Sequence, residues 1–247
     1  MTTNPTLRQA KIDLTAALRA AAHLGLHEGV CNHFSLAVPD YDGVEAFLIN
    51  PQGIHWTDIV PSDLVTVDVN GNKLEGTHEV EPTAFFIHGC IHKAKPNAIC
   101  IMHTHMPFAT SLTLLRDGKL EWVSQNALRF YNRVAYDSDY GGLALDPNEG
   151  DRICSKLVDA DLLFMANHGV LICGESVANV FDDMYYLERA CTVQVLAQST
   201  GQPFRYVPED VALRTVQQFQ AERQQSAMHL EALKKTLERI SPGWSTL

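Results

Sequence analysis

The sequence predicts an α/β fold in which a mixed, largely antiparallel sheet is covered by helices on both sides. Strand-like segments alternate with helical segments along the whole chain, which is the pattern of a layered α/β architecture. Several strand-like segments follow one another closely enough to form hairpins, and hairpins make a sheet antiparallel. No repeat, low-complexity tract or linker interrupts the 247 residues. We therefore predict a single domain over residues 1–247.

The first half of the chain is predicted to hold two helices with a group of strands between them. Leucine and alanine at spacings of three and four indicate an amphipathic helix over residues 5–24 that stops at Gly25. Pro82 opens a second, strongly apolar helix through Lys95, because proline is well tolerated in a first turn. Between them, β-prone runs predict strands at residues 33–38, 45–50, 63–69 and 72–76, and an Asn-Gly turn joins the last two.

The second half repeats this alternation and ends in a polar helical tail. A buried strand is predicted at residues 99–102, and Pro107 just beyond it cannot donate to a sheet ladder. Further strands are predicted at residues 133–136, 161–167 and 169–174, and further helices at 148–158 and 176–199. The tail over 208–240 carries a narrow apolar stripe that suits packing on a neighbouring subunit or on the rim: Leu213, Val216, Leu230, Leu233, Leu237 and Ile240.

Composition narrows the class of partner. The formal net charge is −10, without a cluster of lysine and arginine, which argues against nucleic acid and anionic membranes. We expect a small-molecule partner instead. The N-terminus lacks the apolar region of a signal peptide, and no run of about 18 apolar residues could span a bilayer, so a cytoplasmic protein is expected. The six scattered cysteines form no C-x-x-C pair and are interpreted as free, mostly buried thiols.

Three histidines suggest a metal site. His103 and His105 follow the strand predicted at 99–102, and side chains two residues apart on a strand point to the same face. His168 lies between two strand-like segments, in an Asn-His-Gly turn. A single histidine beside an apolar run is more often structural, but three neutral imidazoles with an open fourth position are typical of catalytic zinc. Manganese, iron or cobalt would suit the same donors.

The chain resembles the class II aldolase and adducin-head superfamily from about residue 8 to residue 205. The resemblance rests on several motifs in order: EGVCNHFSLAVP, FLINPQGIHWTDIVPSDLVTVDVNGN, FFIHGCIHKAKPNAICIMHTH, LRFYNRVAYDSDYGG and ANHGVLICGESVANVFDDMYYLERACTVQVLA. It implies a three-layer α/β/α fold, with residues 208–240 as a helical extension, and a homotetramer whose active site lies near a subunit interface. It also implies one divalent metal ion per subunit on His103, His105 and His168, with Zn²⁺ or Mn²⁺ favoured over Fe²⁺ or Co²⁺.

Two departures from the family pattern bear on the reaction. Sugar-phosphate aldolases of the family carry an acid/base glutamate nineteen residues before the first metal histidine, where this chain has Ala84. Their phosphate-holding motifs are also largely replaced. Only Asn32, Gly53 and Thr83 keep that pattern and are carried over as substrate-binding residues. A phosphorylated sugar is therefore not the expected substrate.

Other residues of the matching motifs are candidates to replace the missing groups. His33, His88 and Arg129 could hold a substrate carboxylate or move a proton, although structural hydrogen bonding is the alternative for each. Glu81 is a further candidate for the catalytic role because it lies near the missing glutamate, although we expect it to point elsewhere if Pro82 starts the helix. The remaining candidates are phenol donors, although aromatic residues in such a motif are more often core, and a C-terminal side chain that could cover a neighbour's site: Tyr131, Tyr136 and Trp244.

These features lead to a metal-dependent carbon–carbon lyase as the first hypothesis. The expected reaction is decarboxylation of a small hydroxy or oxo acid, including aromatic ones, through a metal-stabilised enolate. An aldolase acting on a non-phosphorylated or sugar-derived substrate is the second hypothesis. A non-catalytic adducin-like binding domain and Fe(II) oxygen chemistry stay open as further alternatives.

Overall fold

A single eight-stranded sheet forms the centre of the computed structural model, which describes residues 5–143 and 147–246. Residues 1–4, part of the segment assessed for a signal peptide, lie outside this description. The strand order is β4-β3-β2-β1-β5-β8-β7-β6, and β6 runs parallel to β7 while the other neighbours are antiparallel. The strands are β1 His33–Tyr41, β2 Val44–Ile49, β3 Val65–Asp68, β4 Lys73–Glu75, β5 Cys100–Thr104, β6 Val134–Asp137, β7 Leu162–Met165 and β8 Gly169–Gly174. The predicted mixed, largely antiparallel sheet is confirmed.

Helices cover both faces of this sheet. Those predicted from periodicity are present, and two short ones, α3 and α4, were not predicted because they are too short to show a period. The helices are α1 Pro5–His23, α2 Pro82–Ala94, α3 Pro107–Thr113, α4 Gln125–Leu128, α5 Pro147–Ser155, α6 Val177–Gln198, α7 Glu209–Ala221 and α8 Gln224–Ile240. Pro107, expected only to end the preceding strand, is also the first residue of α3.

The side chains of β5 show how the layers form. Cys100 and Met102 belong to the large apolar cluster that includes residues of α1, α6 and α8. Ile101 belongs to the smaller cluster formed with α2 and α5 on the opposite face. This alternation follows from the two-residue period of a strand, and it directs His103 to the same face as Ile101.

The C-terminal extension packs on its own chain. Leu230 and Leu237 of α8 are buried in the large cluster, and α8 contacts α1 and α6. Leu213 and Ile240, at the two ends of the apolar stripe, are 39% and 55% exposed. The middle of the stripe is therefore not free for a neighbouring subunit, because the chain's own helices already cover it.

All six cysteines lie in the described residues and are free thiols, as predicted. Four of them are buried, whereas Cys31 is exposed and Cys90 is half-buried. Within residues 5–143 and 147–246, no helix combines the length and apolar character needed to cross a membrane.

Candidate metal centre

The end of β5 holds the first two histidines. His103 lies inside β5 rather than after it, and His105 follows its last residue, Thr104. Their ring centroids are 4.9 Å apart, and the two Nε2 atoms approach to 3.2 Å. The predicted same-face arrangement of the pair is thus present at this edge of the sheet.

His168 completes the group from the turn between β7 and β8. Its ring centroid lies 4.8 Å from that of His103 and 4.9 Å from that of His105. Asn167 before it adopts a left-handed backbone, with a φ of 56°, a conformation that asparagine tolerates. A Cβ on Gly169 would lie 2.6 Å from the carbonyl oxygen of Thr104 and 2.7 Å from Cδ2 of His105. The close approach of this turn to β5 therefore requires glycine at position 169.

Two of the rings are oriented through their Nδ1 atoms. His103 Nδ1 donates to the carbonyl oxygen of Val170 at 3.0 Å, and His105 Nδ1 bonds the carboxylate of Glu28. A carbonyl oxygen only accepts, so the lone pair of neutral His103 is on Nε2, which faces the other rings. Outer partners of this kind commonly orient metal-ligating histidines.

The electrostatics of the three rings also suit a cation. Burial, followed by the neighbouring His168 and His105, holds the pKa of His103 well below its ordinary value. Burial and His105 lower the pKa of His168 to about 4, against the opposing charges of Glu149 and Glu28. Both rings are therefore neutral near pH 7, as metal ligation requires.

The spacing of the His103 and His105 nitrogens fits one metal ion. Two nitrogens bound to one tetrahedral zinc at about 2.0–2.1 Å lie roughly 3.3 Å apart, and the two Nε2 atoms of His103 and His105 are 3.2 Å apart. One ligand atom from each of the three histidines lies within 4.8 Å of the others. These residues could hold one divalent ion.

A carboxylate–imidazole pair lies next to the three histidines. His33 of β1 is the ladder partner of His103, and its Nε2 bonds the Glu81 carboxylate at 2.7 Å. The expectation that Glu81 points elsewhere is wrong. Glu81 is the N-cap of α2 and has an extended backbone, so its side chain is not committed to a helix face. The His33 hydrogen bond lowers the pKa of Glu81, and a bond from Thr83 adds to the shift.

Ala84 has an apolar environment. Its side chain is fully buried in a small apolar cluster with Phe47, Ile49, Val65 and Val67. Glu81, three residues earlier, is the carboxylate that reaches the site from α2.

A chain of hydrogen bonds fixes the tautomer of His88. His92 Nδ1 lies 2.8 Å from the carbonyl oxygen of Ala98 and must donate to it. Burial lowers the pKa of His92 to about 4, so the ring is neutral near pH 7 and its Nε2 accepts a hydrogen bond from the Ser35 hydroxyl at 2.8 Å. Ser35 Oγ then accepts from His88 Nδ1 at 2.7 Å. The Nε2 of His88 is therefore also an acceptor, and it has no partner among the described residues. A neutral His88 cannot hold a carboxylate through that nitrogen.

The comparisons with known proteins agree with this geometry. The family model for the class II aldolase and adducin N-terminal domain matches residues 12–195. A Pseudomonas aeruginosa protein, named provisionally as a class 2 aldolase, is 36% identical over 204 residues, or 82% of this chain and 77% of that protein. The chain belongs to the class II aldolase and adducin N-terminal domain family.

Solved structures extend the family relationship to almost the whole chain. An aldolase II superfamily protein from Pseudomonas syringae matches with a TM-score of 0.90 at 32% identity, covering 98% of this chain and 97% of that one. L-fuculose 1-phosphate aldolase from Glaciozyma antarctica PI12 matches with a TM-score of 0.83 at 26% identity, covering 97% of this chain and 95% of that one.

A relative found by sequence is named for another reaction. Decarboxylase NovR of Streptomyces niveus is 30% identical over 204 residues, 82% of this chain and 74% of that protein. The family therefore has members named for both of the reactions considered above.

The three residues that keep the family's phosphate pattern lie in different settings. Asn32 is buried beside the three histidines, where its Oδ1 accepts from the His105 backbone N–H at 3.3 Å. Its Nδ2 has no partner among the described residues. Thr83 donates its hydroxyl to Glu81 at 2.9 Å. Gly53 is exposed on a loop, with a φ of 79° and open space around it.

Arg129 lies in a different environment from the one expected of a site residue. Its guanidinium pairs with Asp182 of α6 and lies 4.2 Å from the ring centroid of Tyr186 and 4.8 Å from that of Phe219. This pairing within its own chain is the structural alternative considered for Arg129, and a role in holding a substrate carboxylate stays a prediction.

The aromatic candidates also have structural partners. Tyr131 packs edge-on against Trp122 at 5.2 Å between centroids, and the hydroxyl of Tyr136 accepts from the Leu120 backbone at 3.1 Å. Trp244 is only 4% exposed and packs in its own chain's large cluster. Its ring is therefore buried within its own chain and is not free to cover a neighbour's site.

Three residues near the histidines were missed by sequence reasoning. Glu28 bonds His105. The negative charge of Glu149 acts to raise the pKa of His168. The Tyr140 ring centroid is 6.3 Å from that of His168. Tyr140 is half exposed. Glu28 begins the first family motif and Tyr140 lies in the fourth, so their membership of these motifs was the available signal.

Proposed function

We propose that this protein is a divalent-metal-dependent carbon–carbon lyase that decarboxylates a small hydroxy or oxo acid, aromatic acids included. The observation that carries the proposal is the convergence of His103, His105 and His168 beside the Glu81–His33 pair. The similarity to a protein named as a decarboxylase supports this choice of reaction. Zn²⁺ and Mn²⁺ are the proposed ions, one per subunit.

The residues around the centre would perform distinct tasks in such a reaction. A bound divalent ion would supply a Lewis acid that stabilises negative charge on substrate oxygen. The Nδ2 of Asn32, which has no partner within residues 5–143 and 147–246, would donate a hydrogen bond to an oxygen of the substrate. The Glu81–His33 pair would deliver the proton to the carbon that loses carbon dioxide. The bond to the carboxylate carbon breaks, its electron pair stays on the remaining carbon, and that proton completes the product.

The direct test is a screen for carbon dioxide release. Metal-loaded protein is incubated with a panel of hydroxy and oxo acids, with His103→Ala as the control variant. We expect release from at least one metal-chelating acid, its loss on treatment with a chelator, and its return on addition of Zn²⁺ or Mn²⁺. Absence of carbon dioxide with every acid, for protein of full metal content, would contradict the proposal.

Aldol cleavage of a non-phosphorylated or sugar-derived substrate is the second candidate. The position of Glu81 favours it, because a carboxylate bonded to His33 could serve as the acid/base that Ala84 cannot provide. Condensation of an aldehyde and a ketone at an enzymatic rate in the same screen would establish this reaction instead. If neither activity appears, an adducin-like binding domain becomes the better description.

The proposed setting of the enzyme follows from the same reasoning. We propose a small carboxylic acid as its substrate, a homotetramer as its assembly and the cytoplasm as its location. The free thiols support a reducing compartment.

A further inference from the structure

Helix α3 lies between the two turns that carry His105 and His168. It begins at Pro107, two residues after His105. At its other end, the carbonyl oxygen of Thr113 accepts from the backbone N–H of Asn167 at 3.0 Å. Asn167 directly precedes His168. One short helix therefore connects the end of β5 with the turn between β7 and β8.

The N-terminus of α3 is capped from another helix. The N-cap residue Met106 makes no side-chain cap, and Pro107 has no N–H to contribute. The next two N–H groups, of Phe108 and Ala109, each donate to one carboxylate oxygen of Glu188 at 2.9 Å. Glu188 lies in α6, so the cap joins segments about 80 residues apart in the chain.

The burial of Glu188 indicates that its carboxylate has a specific role. The residue is 7% exposed, and no lysine, arginine or histidine of residues 5–143 and 147–246 forms an ion pair with it. Burial raises the pKa of Glu188, against the lowering effect of its two backbone hydrogen bonds. A buried carboxylate without a cation is costly to fold, whereas an apolar side chain would fill the space more cheaply. The carboxylate accepts the two N–H bonds and places a negative charge at the positive end of α3, which an apolar side chain could not do.

We propose that Glu188 is a positioning residue for the metal centre, fixing α3 so that His105 and His168 are held at the spacing one ion requires. The inference rests on the proposed metal centre. It concerns a residue that touches none of the three histidines and acts only through α3 and the Asn167 turn.

The experiment compares Glu188→Ala and Glu188→Gln with a matched control, Gln194→Ala. Gln194 is a buried residue of the same helix that also makes two backbone hydrogen bonds, to Glu121 and Lys119. The loop that Gln194 bonds, at residues 119–121, does not connect the turns that carry His105 and His168. Zn²⁺ affinity is measured by competition with a chromophoric chelator, and the absorption spectrum of the Co²⁺-loaded protein reports the ligand geometry.

We expect Glu188→Ala to weaken Zn²⁺ binding by about 10- to 100-fold, as loss of an outer support typically does, and to alter the Co²⁺ spectrum. Glu188→Gln keeps one acceptor oxygen and should lose less affinity. Gln194→Ala should stay within about twofold of wild type. Equal affinity of wild type and Glu188→Ala, or equal losses in Glu188→Ala and Gln194→Ala, would overturn the proposal.

A readout without metal separates this inference from the proposed function. Hydrogen exchange of the Asn167 amide in metal-free protein should accelerate at least tenfold in Glu188→Ala and stay unchanged in Gln194→Ala. Unchanged exchange in Glu188→Ala would refute the connection through α3. If wild-type protein itself binds no ion, or binds it without lyase activity, it is the proposed function that fails, and the exchange result still decides the role of Glu188 in holding the turn.

Discussion

Glu28 is the outer partner of His105, and its removal should weaken metal binding. In Glu28→Gln the amide can no longer accept a charge-assisted bond from Nδ1, so we expect a loss of about 10- to 100-fold in Zn²⁺ affinity. Competition titration with a chelator measures it. Glu79→Gln is the control, because Glu79 is an exposed glutamate that pairs with Lys73 instead. Equal affinities for wild type and Glu28→Gln would show that the Glu28 contact does not support the ligand.

Glu81 should act in catalysis rather than in metal binding. We expect Glu81→Gln to lower kcat for carbon dioxide release by about 10²- to 10⁴-fold, the usual contribution of a general acid or base, with metal content unchanged. Glu79→Gln is the control, because Glu79 is an exposed glutamate two residues earlier that pairs with Lys73. A Glu81→Gln protein with wild-type kcat would exclude this role.

The positions of the three histidines depend on how closely the start of β8 approaches the end of β5. In Gly169→Ala the new methyl group would meet the Thr104 carbonyl and the His105 ring. We expect a loss of about 1–3 kcal/mol in the free energy of unfolding, together with weaker Zn²⁺ binding, because the contact involves a ligand.

Gly174→Ala, at the other end of β8, is the control for that variant. Its methyl group would lie 3.1 Å from Cγ2 of Val180 and far from the histidine turn. Urea unfolding and Zn²⁺ titration of the two variants separate general strain in β8 from displacement of the ligands. If both lose metal affinity equally, the approach at Gly169 is not specific to the site.

For the molecule as a whole, buried neutral histidines should make stability depend on pH. The folded pKa of His92 is about 4, below its ordinary value of 6.5, because the ring is buried. The unfolded chain therefore binds a proton more readily, and stability falls as pH drops from about 6.5 towards 4. His88 acts in the same direction. For His92 alone the loss between pH 7 and pH 5 is about 2 kcal/mol.

The neutral variant His92→Gln isolates this contribution. Its free energy of unfolding should fall less steeply with acidity than that of wild type, and the difference between the two proteins should change by about 2 kcal/mol between pH 7 and pH 5. Urea unfolding in the presence of a chelator, which excludes metal effects, measures it. A constant difference at both pH values would mean that His92 titrates alike in the folded and unfolded states.

The assembly is the second prediction at this scale. We expect light scattering to give the mass of four chains of 27.4 kDa at micromolar concentration. This expectation rests on the family resemblance rather than on a surface patch of this chain. A monomer with full lyase activity would contradict a shared active site.

Local sequence patterns were enough to predict most of the elements and the three converging histidines. Helical and strand periods repeat every few residues, so the bounds of α1, α2 and α6 and the strands could be inferred without knowing what they pack against. The same period explains why His103 and His105 share a face. The Asn-His-Gly turn directed His168 to a strand end for a similarly local reason.

The tertiary structure alone decided which side chains meet. Glu81 bonds a histidine 48 residues away, and Arg129 pairs with an aspartate 53 residues away. Such partners depend on the order of strands and on how helices pack, and no spacing along the chain encodes either. The residue types at these positions indicated only that proton transfer or carboxylate binding was possible there. The tertiary contacts brought Glu81 to His33 beside the three histidines and buried Trp244 in the core.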